Sequence, residues 1–341
     1  MTTTNGAPRT VKTVGYIGLG NAGMSMSSNL PKKGYNLVVH DQDLAKVKKA
    51  VAEWKNTKSG TESSGKPDPK AFEECEVIIT MLPHGGVVRD VLFGTDGIGP
   101  SLKPGTIIVD TSSSSPFDTK KLAKEVAGHQ LKLIDSPITQ TYMHATDDGR
   151  STLMVGSDSE EDYEVVKPIL QCMATYIFLM GPVGAGHAMK TLNNYIMASS
   201  ICALSDSLVT GQKYGLNPQT MIDALNVGTG VNFPTMDTFR RDTLTRRFNS
   251  GFGLGLLVKD LGITQDFMKY SNFETELPGV LKGYLSHSMD VIGPERNKTA
   301  DHTECIQGWE ERSGIEIKKT EKVQDIPQED FEHRLKGLNR K

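Results

Sequence analysis

The sequence predicts an α/β domain followed by an all-helical domain, and three observations carry that prediction. Short apolar runs recur through the first half at helix-length intervals. A glycine-rich turn follows the first of them. After Gly181 the alternation stops, and helix-forming residues continue with no convincing strand. Strands separated by helix-length segments form βαβ units and a mostly parallel sheet.

Taken in order, residues 13–18 read as a strand and 23–33 as a helix. Residues 37–40, 77–81, 107–110 and 131–135 are four further strands, and 153–156 and 176–179 add two more. The segment 55–69 is rich in Ser, Gly, Thr, Lys and Pro and reads as a mobile surface loop. From Gly184 a long helix runs to Tyr214, with Gly215 placed as the residue that ends it. Asn217-Pro218 then supplies a cap and a first-turn proline for the next helix. The long helix is apolar around its girth, which implies a partner subunit or an enclosing domain, and so a homodimer or homotetramer.

The chain has 341 residues, enough for two domains. Its 38 Lys+Arg against 41 Asp+Glu leave a net charge of -3, so no basic surplus exists to neutralise nucleic-acid phosphates. Hydrophobic residues at 37% and charged residues at 23% mark a globular chain. Cys75, Cys172, Cys202 and Cys305 lie far apart without a CxxC pair, which suggests neither a zinc site nor a disulfide framework. A reducing compartment follows, taken as the cytoplasm. The stretch 1–10 is short and polar, without an apolar core of signal-peptide length. The best candidate for a membrane span, 188–209, is interrupted by Lys190, Asn193, Asn194, Ser199, Ser200 and Asp206, so a buried helix is expected there. The tail from about Thr320 reads as a solvated extension.

Chemistry enters at VGYIGLGNAG, residues 14–23, where Gly18-x-Gly20-x-x-Gly23 lies between a strand and a helix. Gly18 permits the tight turn, Gly20 lets the backbone approach a pyrophosphate, and Gly23 lets helix and strand pack closely. The helix N-terminus then faces the phosphates with its N–H groups. Asp41 ends the next strand, where a carboxylate accepts from the adenosine ribose and repels a 2′-phosphate. NAD is therefore expected in preference to NADP. The plain alternative is a glycine turn with no ligand and an aspartate that caps a loop.

A second constellation is GPVGAGHAMKTLNN, residues 181–194. Lys190 and Asn194 are four apart and share one helix face, with Asn193 adjacent. Partial burial would favour a neutral amine at Lys190, as a proton-transfer group needs. Asn194 could then hold a substrate carboxylate or hydroxyl. The alternative is a lysine that snorkels to the surface. Gly184 and Gly186 allow close approach at the helix start, and His187 reads as a capping or core histidine.

These residues resemble the β-hydroxyacid dehydrogenase family, which includes 3-hydroxyisobutyrate dehydrogenase, tartronate semialdehyde reductase and, more distantly, 6-phosphogluconate dehydrogenase. Four blocks match in order over roughly residues 11–290. GLGNAG (18–23) resembles the nucleotide motif, with Ala22 where methionine is usual. DTSSSSP (110–116) resembles the substrate-binding loop. GAGHAMKTLNN (184–194) resembles the motif of the catalytic lysine, and Lys259-Asp260-Leu261 a motif that closes over the nicotinamide.

The resemblance implies a Rossmann-like dinucleotide-binding domain at 11–182, a helical substrate and oligomerisation domain at 183–319 and a charged tail at 320–341, with the active site in the cleft between the domains. Lys190 would be the general acid/base. Ser112, Thr139, Gln140 and Asn194 would bind a small hydroxyacid or its semialdehyde. Gly18, Leu19, Gly20, Asn21, Ala22, Gly23, Asp41, Leu82, Pro83 and Lys259 would bind the cofactor. Without the resemblance, Ser112 to Ser115 read as a polar loop, and Lys259 as a surface lysine paired with Asp260 or Asp266.

One stretch departs from the pattern. The family carries Ser-Gly-Gly after Asp-x-Pro-Val, whereas residues 135–141 read DSPITQT. Gln140 and Thr141 put side chains where glycine would let backbone N–H groups reach a carboxylate. This argues for a substrate other than 3-hydroxyisobutyrate, in a pocket that Tyr142, Met143 and His144 could help to line. Two alternatives use the same scaffold: an imine or keto reductase, against which Lys190 counts, and a non-catalytic nucleotide-binding regulatory protein.

Overall fold

The computed structural model describes residues 9–139 and 151–318. The chain divides into two compact units, one reaching Lys190 and the other beginning at Thr191. The division falls inside one continuous helix, slightly later than the boundary at 182 expected from the sequence.

The first unit is built on one sheet. Among the described residues its strands are β1 (Thr13–Ile17), β2 (Asn36–His40), β3 (Thr57–Ser59), β4 (Val77–Thr80), β5 (Ile107–Asp110), β6 (Lys132–Asp135), β7 (Ile138–Thr139), β8 (Ser151–Gly156) and β9 (Ala174–Gly181). They lie in the order β3-β2-β1-β4-β5-β6-β8-β7, with β9 on the other flank of β8. Pairing is parallel from β3 through β6, β8 runs antiparallel to β6 and β7, and β9 runs parallel to β8. The register aligns Ile17 with His40 and Thr80, Thr80 with Asp110, and Asp110 with Asp135. The C-terminal ends of five parallel strands thus form a single row.

Helices α1 (Asn21–Ser27), α2 (Asn29–Lys32), α3 (Leu44–Glu53), α4 (Pro69–Phe72), α5 (Gly85–Phe93), α6 (Pro116–Gly128) and α7 (Glu160–Leu170) connect these strands. Both sheet faces are covered. Tyr16, Val39, Ile79 and Val109 enter one core, while Ile17, Val38, Ile78 and Ile108 enter another. Burial on both faces explains why the strands read as continuous apolar runs.

Two expectations are corrected here. The 55–69 segment is not wholly a loop: Thr57–Ser59 adds β3 to β2, and Thr61 bridges Pro67. The helix expected over 23–33 is broken at Ser28 into α1 and α2. Pro31 lacks the N–H that would continue the ladder, and Ser27 and Ser28 turn their hydroxyls back onto Gly23 and Ser25 carbonyls.

Helix α8 (Ala185–Tyr214) passes from the first unit into the second. Gly215 ends it at φ +103°, with Leu216 N–H donating to the Gly211 carbonyl in a Schellman turn. Asn217 then caps α9 (Pro218–Val227) by accepting from Thr220 N. The second unit continues through α10 (Phe233–Met236), α11 (Leu254–Tyr270), α12 (Leu277–Ile292) and α13 (Ile306–Ser313). Its core joins Ile201, Leu204 and Leu208 to Leu254, Leu257 and Leu261, at helical spacing on both helices, and to Leu285 and Trp309. Among the described residues, no helix is long and apolar enough to cross a membrane.

Candidate active site

The glycine loop sits at the C-terminal end of β1. Gly18 has φ +103°, and a Cβ there would lie 2.2 Å from the Met81 carbonyl oxygen, so only glycine fits. Gly20 precedes α1 without a side-chain cap, and its Cβ position faces open space. Asn21, Ala22 and Gly23 form the first turn of α1. Leu19 N–H donates to Asp41 Oδ2 at 2.7 Å, and Asp41 Oδ1 accepts from Asp43 N at 2.9 Å. The carboxylate at the end of β2 is thereby fixed against the loop. An open backbone at Gly20 before uncapped helical N–H groups, with a carboxylate held beside them, fits a dinucleotide's pyrophosphate and ribose.

Further along the row of strand ends, Asp110 and Asp135 are fully buried. Asp110 Oδ1 accepts from Thr80 Oγ1 at 2.9 Å and Ser112 N at 3.0 Å, and Oδ2 accepts from Ser114 Oγ at 3.3 Å. This carboxylate shapes the serine loop. Ser112 is buried, and its Oγ accepts from Leu82 N at 2.9 Å, which joins two of the residues singled out in the sequence. Pro83 beside Leu82 is exposed.

Asp135 caps α8 from the end of β6. Its Oδ1 accepts from Gly184 N at 2.6 Å and its Oδ2 from His187 N at 2.7 Å. A side chain at Gly186 would meet this carboxylate at 2.8 Å and the Met154 carbonyl at 2.2 Å, which is why the helix start needs glycine. His187 is a core histidine, with its ring between Thr119 and the Ser112 carbonyl. Lys190 follows His187 by nearly one turn and is half-buried. Thr139 pairs with Thr152 across β7 and β8. Gln140, Thr141 and Tyr142 to His144 lie outside the described residues.

In the second unit, Asn194 is buried. Its Nδ2 donates to Asp260 Oδ2 at 2.6 Å, while Asn193 Nδ2 donates to its Oδ1 at 3.1 Å. Lys259 Nζ lies 3.3 Å from Asp260 Oδ1. Asn194 and Lys259 are thus joined through Asp260, which the sequence offered within the Lys259-Asp260-Leu261 motif and as an ion-pair partner of Lys259. Asp110 and Asp135 stood in the sequence as the acidic residues that end two apolar runs and open the DTSSSSP and DSPITQT stretches, with no sign of the bonds they make.

The parallel sheet, the glycine loop and Asp41 at the end of β2 together define a dinucleotide-binding α/β domain. The family model described as the NAD binding domain of 6-phosphogluconate dehydrogenase matches residues 13–181. The model described as NAD-binding of NADP-dependent 3-hydroxyisobutyrate dehydrogenase matches 184–309. The 2-(hydroxymethyl)glutarate dehydrogenase of Eubacterium barkeri is 30% identical over 305 residues, covering 89% of this chain and 97% of that protein. The mitochondrial 3-hydroxyisobutyrate dehydrogenase of Mus musculus is 32% identical over 284 residues, covering 81% of this chain and 80% of that one. The solved structure of Mycobacterium tuberculosis 3-hydroxyisobutyrate dehydrogenase with L-serine has a TM-score of 0.74 at 26% identity, covering 88% of this chain and 99% of that one. The chain belongs to the β-hydroxyacid dehydrogenase family. It is an oxidoreductase acting on CH–OH donors with a nicotinamide dinucleotide as cofactor.

Proposed function

We propose that the protein is an NAD-dependent dehydrogenase that interconverts a small β-hydroxyacid and its semialdehyde or keto form, with Lys190 as general acid/base. The observation that carries this reading is the seating of Lys190: half-buried, on a helix whose first turn is locked by the buried Asp135. The nicotinamide, when bound, supplies hydride acceptance and return. Lys190 as a neutral amine takes the proton from the substrate hydroxyl in oxidation, and as an ammonium gives it back to the same oxygen in reduction. Asn194, oriented by Asp260, and the Ser112 hydroxyl, whose oxygen accepts from Leu82 N, hold the substrate's polar groups. Thr139 and Gln140 complete the substrate loop. Gly18, Leu19, Gly20, Asn21, Ala22 and Gly23 take the pyrophosphate, Leu82 and Pro83 flank the adenosine side, and Lys259 lies at the nicotinamide end.

The charge of Asp41 supports NAD over NADP, because it opposes a 2′-phosphate. The side chains of Gln140 and Thr141 support a substrate other than 3-hydroxyisobutyrate. The test is turnover with NAD and with NADP on 3-hydroxyisobutyrate, 2-(hydroxymethyl)glutarate, glycerate, threonate and serine. Turnover of at least one hydroxyacid, fastest with NAD, is expected. No turnover of any of them, with cofactor still bound, would favour a regulatory protein instead. The apolar girth read for α8 from the sequence supports a homo-oligomer. Light scattering should give a mass above the 37.2 kDa of one chain.

A further inference from the structure

The segment that follows β3 has no task in the reaction just described, yet it is built against the end of β2. Because β3 runs parallel to β2, with Ser59 level with Val39, its C-terminal end joins the row that holds Asp41, on the side away from β1. Gly60 N–H extends the pairing by donating to the Val39 carbonyl at 2.8 Å. A Cβ at Gly60 would lie 2.5 Å from the Phe72 ring and 2.9 Å from Val38, so the chain is seated closely there. Beyond it Thr61 bridges Pro67, and Glu62 N–H donates to the Lys66 carbonyl, closing a hairpin over residues 60–68. Gly65 turns the tip at φ +85°.

Two contacts join this hairpin to the residues assigned to the cofactor. His40, buried at the end of β2, has Nδ1 2.9 Å from Thr61 Oγ1, and its carbonyl accepts from Gly18 N at 2.8 Å. One residue thus carries the hairpin on its ring and the glycine loop on its backbone. At the tip, a Cβ on Gly65 would lie 3.3 Å from the Gln42 carbonyl oxygen, so the hairpin closes on the 41–43 turn. Its return leg is tied to the segment after α5. Lys66 Nζ reaches Asp96 Oδ2 at 2.8 Å, and Ser101 Oγ donates to the Pro69 carbonyl at 3.0 Å.

A dinucleotide with its pyrophosphate at Gly20, beyond β1, and its ribose at Asp41, beyond β2, runs across the strand ends toward β3. Its purine then arrives at the hairpin. We propose that residues 60–68 form the outer wall of the adenosine subsite, where Thr61, through His40, positions the 41–43 turn. Thr61 and His40 act as positioning residues. The nicotinamide lies at the other end of the cofactor, so the wall sets cofactor affinity and leaves the chemical step alone. This rests on the reading of Asp41 as the ribose residue, and the test separates the two.

Calorimetric titration of the full chain with ADP-ribose, which carries the adenosine and pyrophosphate but no nicotinamide, reads this subsite without any substrate. Replacing residues 62–66 by two glycines should weaken ADP-ribose at least about tenfold and raise the KM for NAD in parallel, with kcat at saturating NAD kept within about twofold. Thr61→Val removes the hydroxyl and keeps the branched shape. It should weaken ADP-ribose about fivefold, and Thr61→Ser should restore the affinity. Should the shortened hairpin not fold, the two Thr61 variants decide. ADP-ribose binding unchanged in Thr61→Val and in the shortened hairpin would overturn the proposal, as would a fall in kcat with the cofactor KM unmoved. Binding weakened by the hairpin variants but untouched by Asp41→Ala would instead refute the ribose role of Asp41 and leave the wall standing.

Discussion

Asn194 and Asp260, 66 residues apart in sequence, share a 2.6 Å hydrogen bond in which the amide donates to the carboxylate. The other Asp260 oxygen faces Lys259, so one buried side chain orients two residues assigned to ligand binding. Asp260→Ala would leave the buried Asn194 amide without its acceptor, at a cost of about 1–3 kcal/mol. The melting temperature should fall by about 2–4 °C for each kcal/mol lost. kcat/KM should fall as well, because Asn194 is no longer aimed. Thermal melts and initial rates of the variant check both effects.

Asp41 should set cofactor choice. The unmodified protein should use NAD at least about tenfold better than NADP by kcat/KM, an energy of about 1.4 kcal/mol that one charge can supply near a surface. Asp41→Asn keeps an acceptor for Leu19 N–H but removes the charge, so the ratio should shrink toward one. Initial rates with both cofactors measure it. An unchanged ratio would assign the preference elsewhere.

Acid should destabilise the protein partly through His302. Burial holds its imidazole below the ordinary value of 6.5, despite Asp301 beside it. The folded state therefore keeps this ring neutral where the unfolded chain would take up a proton. Its stabilising contribution is complete above the ordinary value and is lost as pH falls from there to the lowered folded value. Asp301, held below the usual carboxylate range by its hydrogen bonds and by His302, adds a loss at still lower pH. Urea midpoints should drop between pH 7.5 and 5, and less steeply in His302→Gln. A midpoint that rises on acidification would contradict the assignment.

Cysteine chemistry should be slow in the native state. Burial pushes the thiols of Cys75 and Cys202 up to about 12 and raises Cys305 as well, so none offers an appreciable thiolate at neutral pH. Cys172 is half-buried, and all four are free thiols. A thiol reagent should therefore modify Cys172 first, and all four only after denaturation. Rapid modification of three or more in the folded protein would show the buried thiols to be accessible.

The sheet was legible because its strands are buried on both faces, so Ile107–Asp110 and Val77–Thr80 announce themselves as apolar runs. The end of α8 was legible because Gly215 and Asn217-Pro218 are local signals. Thr57–Ser59 was not: its side chains are polar and mostly exposed, and only its backbone pairing to β2 makes it a strand. The cap on the lysine helix was equally hidden. Asp135 reaches Gly184 across 49 residues, and no sequence spacing announces such a bond. Residue types exposed the glycine loop, Asp41 and Lys190, while the cap that Asp135 places on the lysine helix emerged only from the structure.

The assignment of Lys190 is tested most directly by Lys190→Ala, measured for kcat on the best hydroxyacid alongside cofactor binding by titration. The account predicts that kcat falls by about 10²–10⁴-fold, the usual contribution of a general acid/base, while the cofactor binds as before. Full activity in the variant would contradict it.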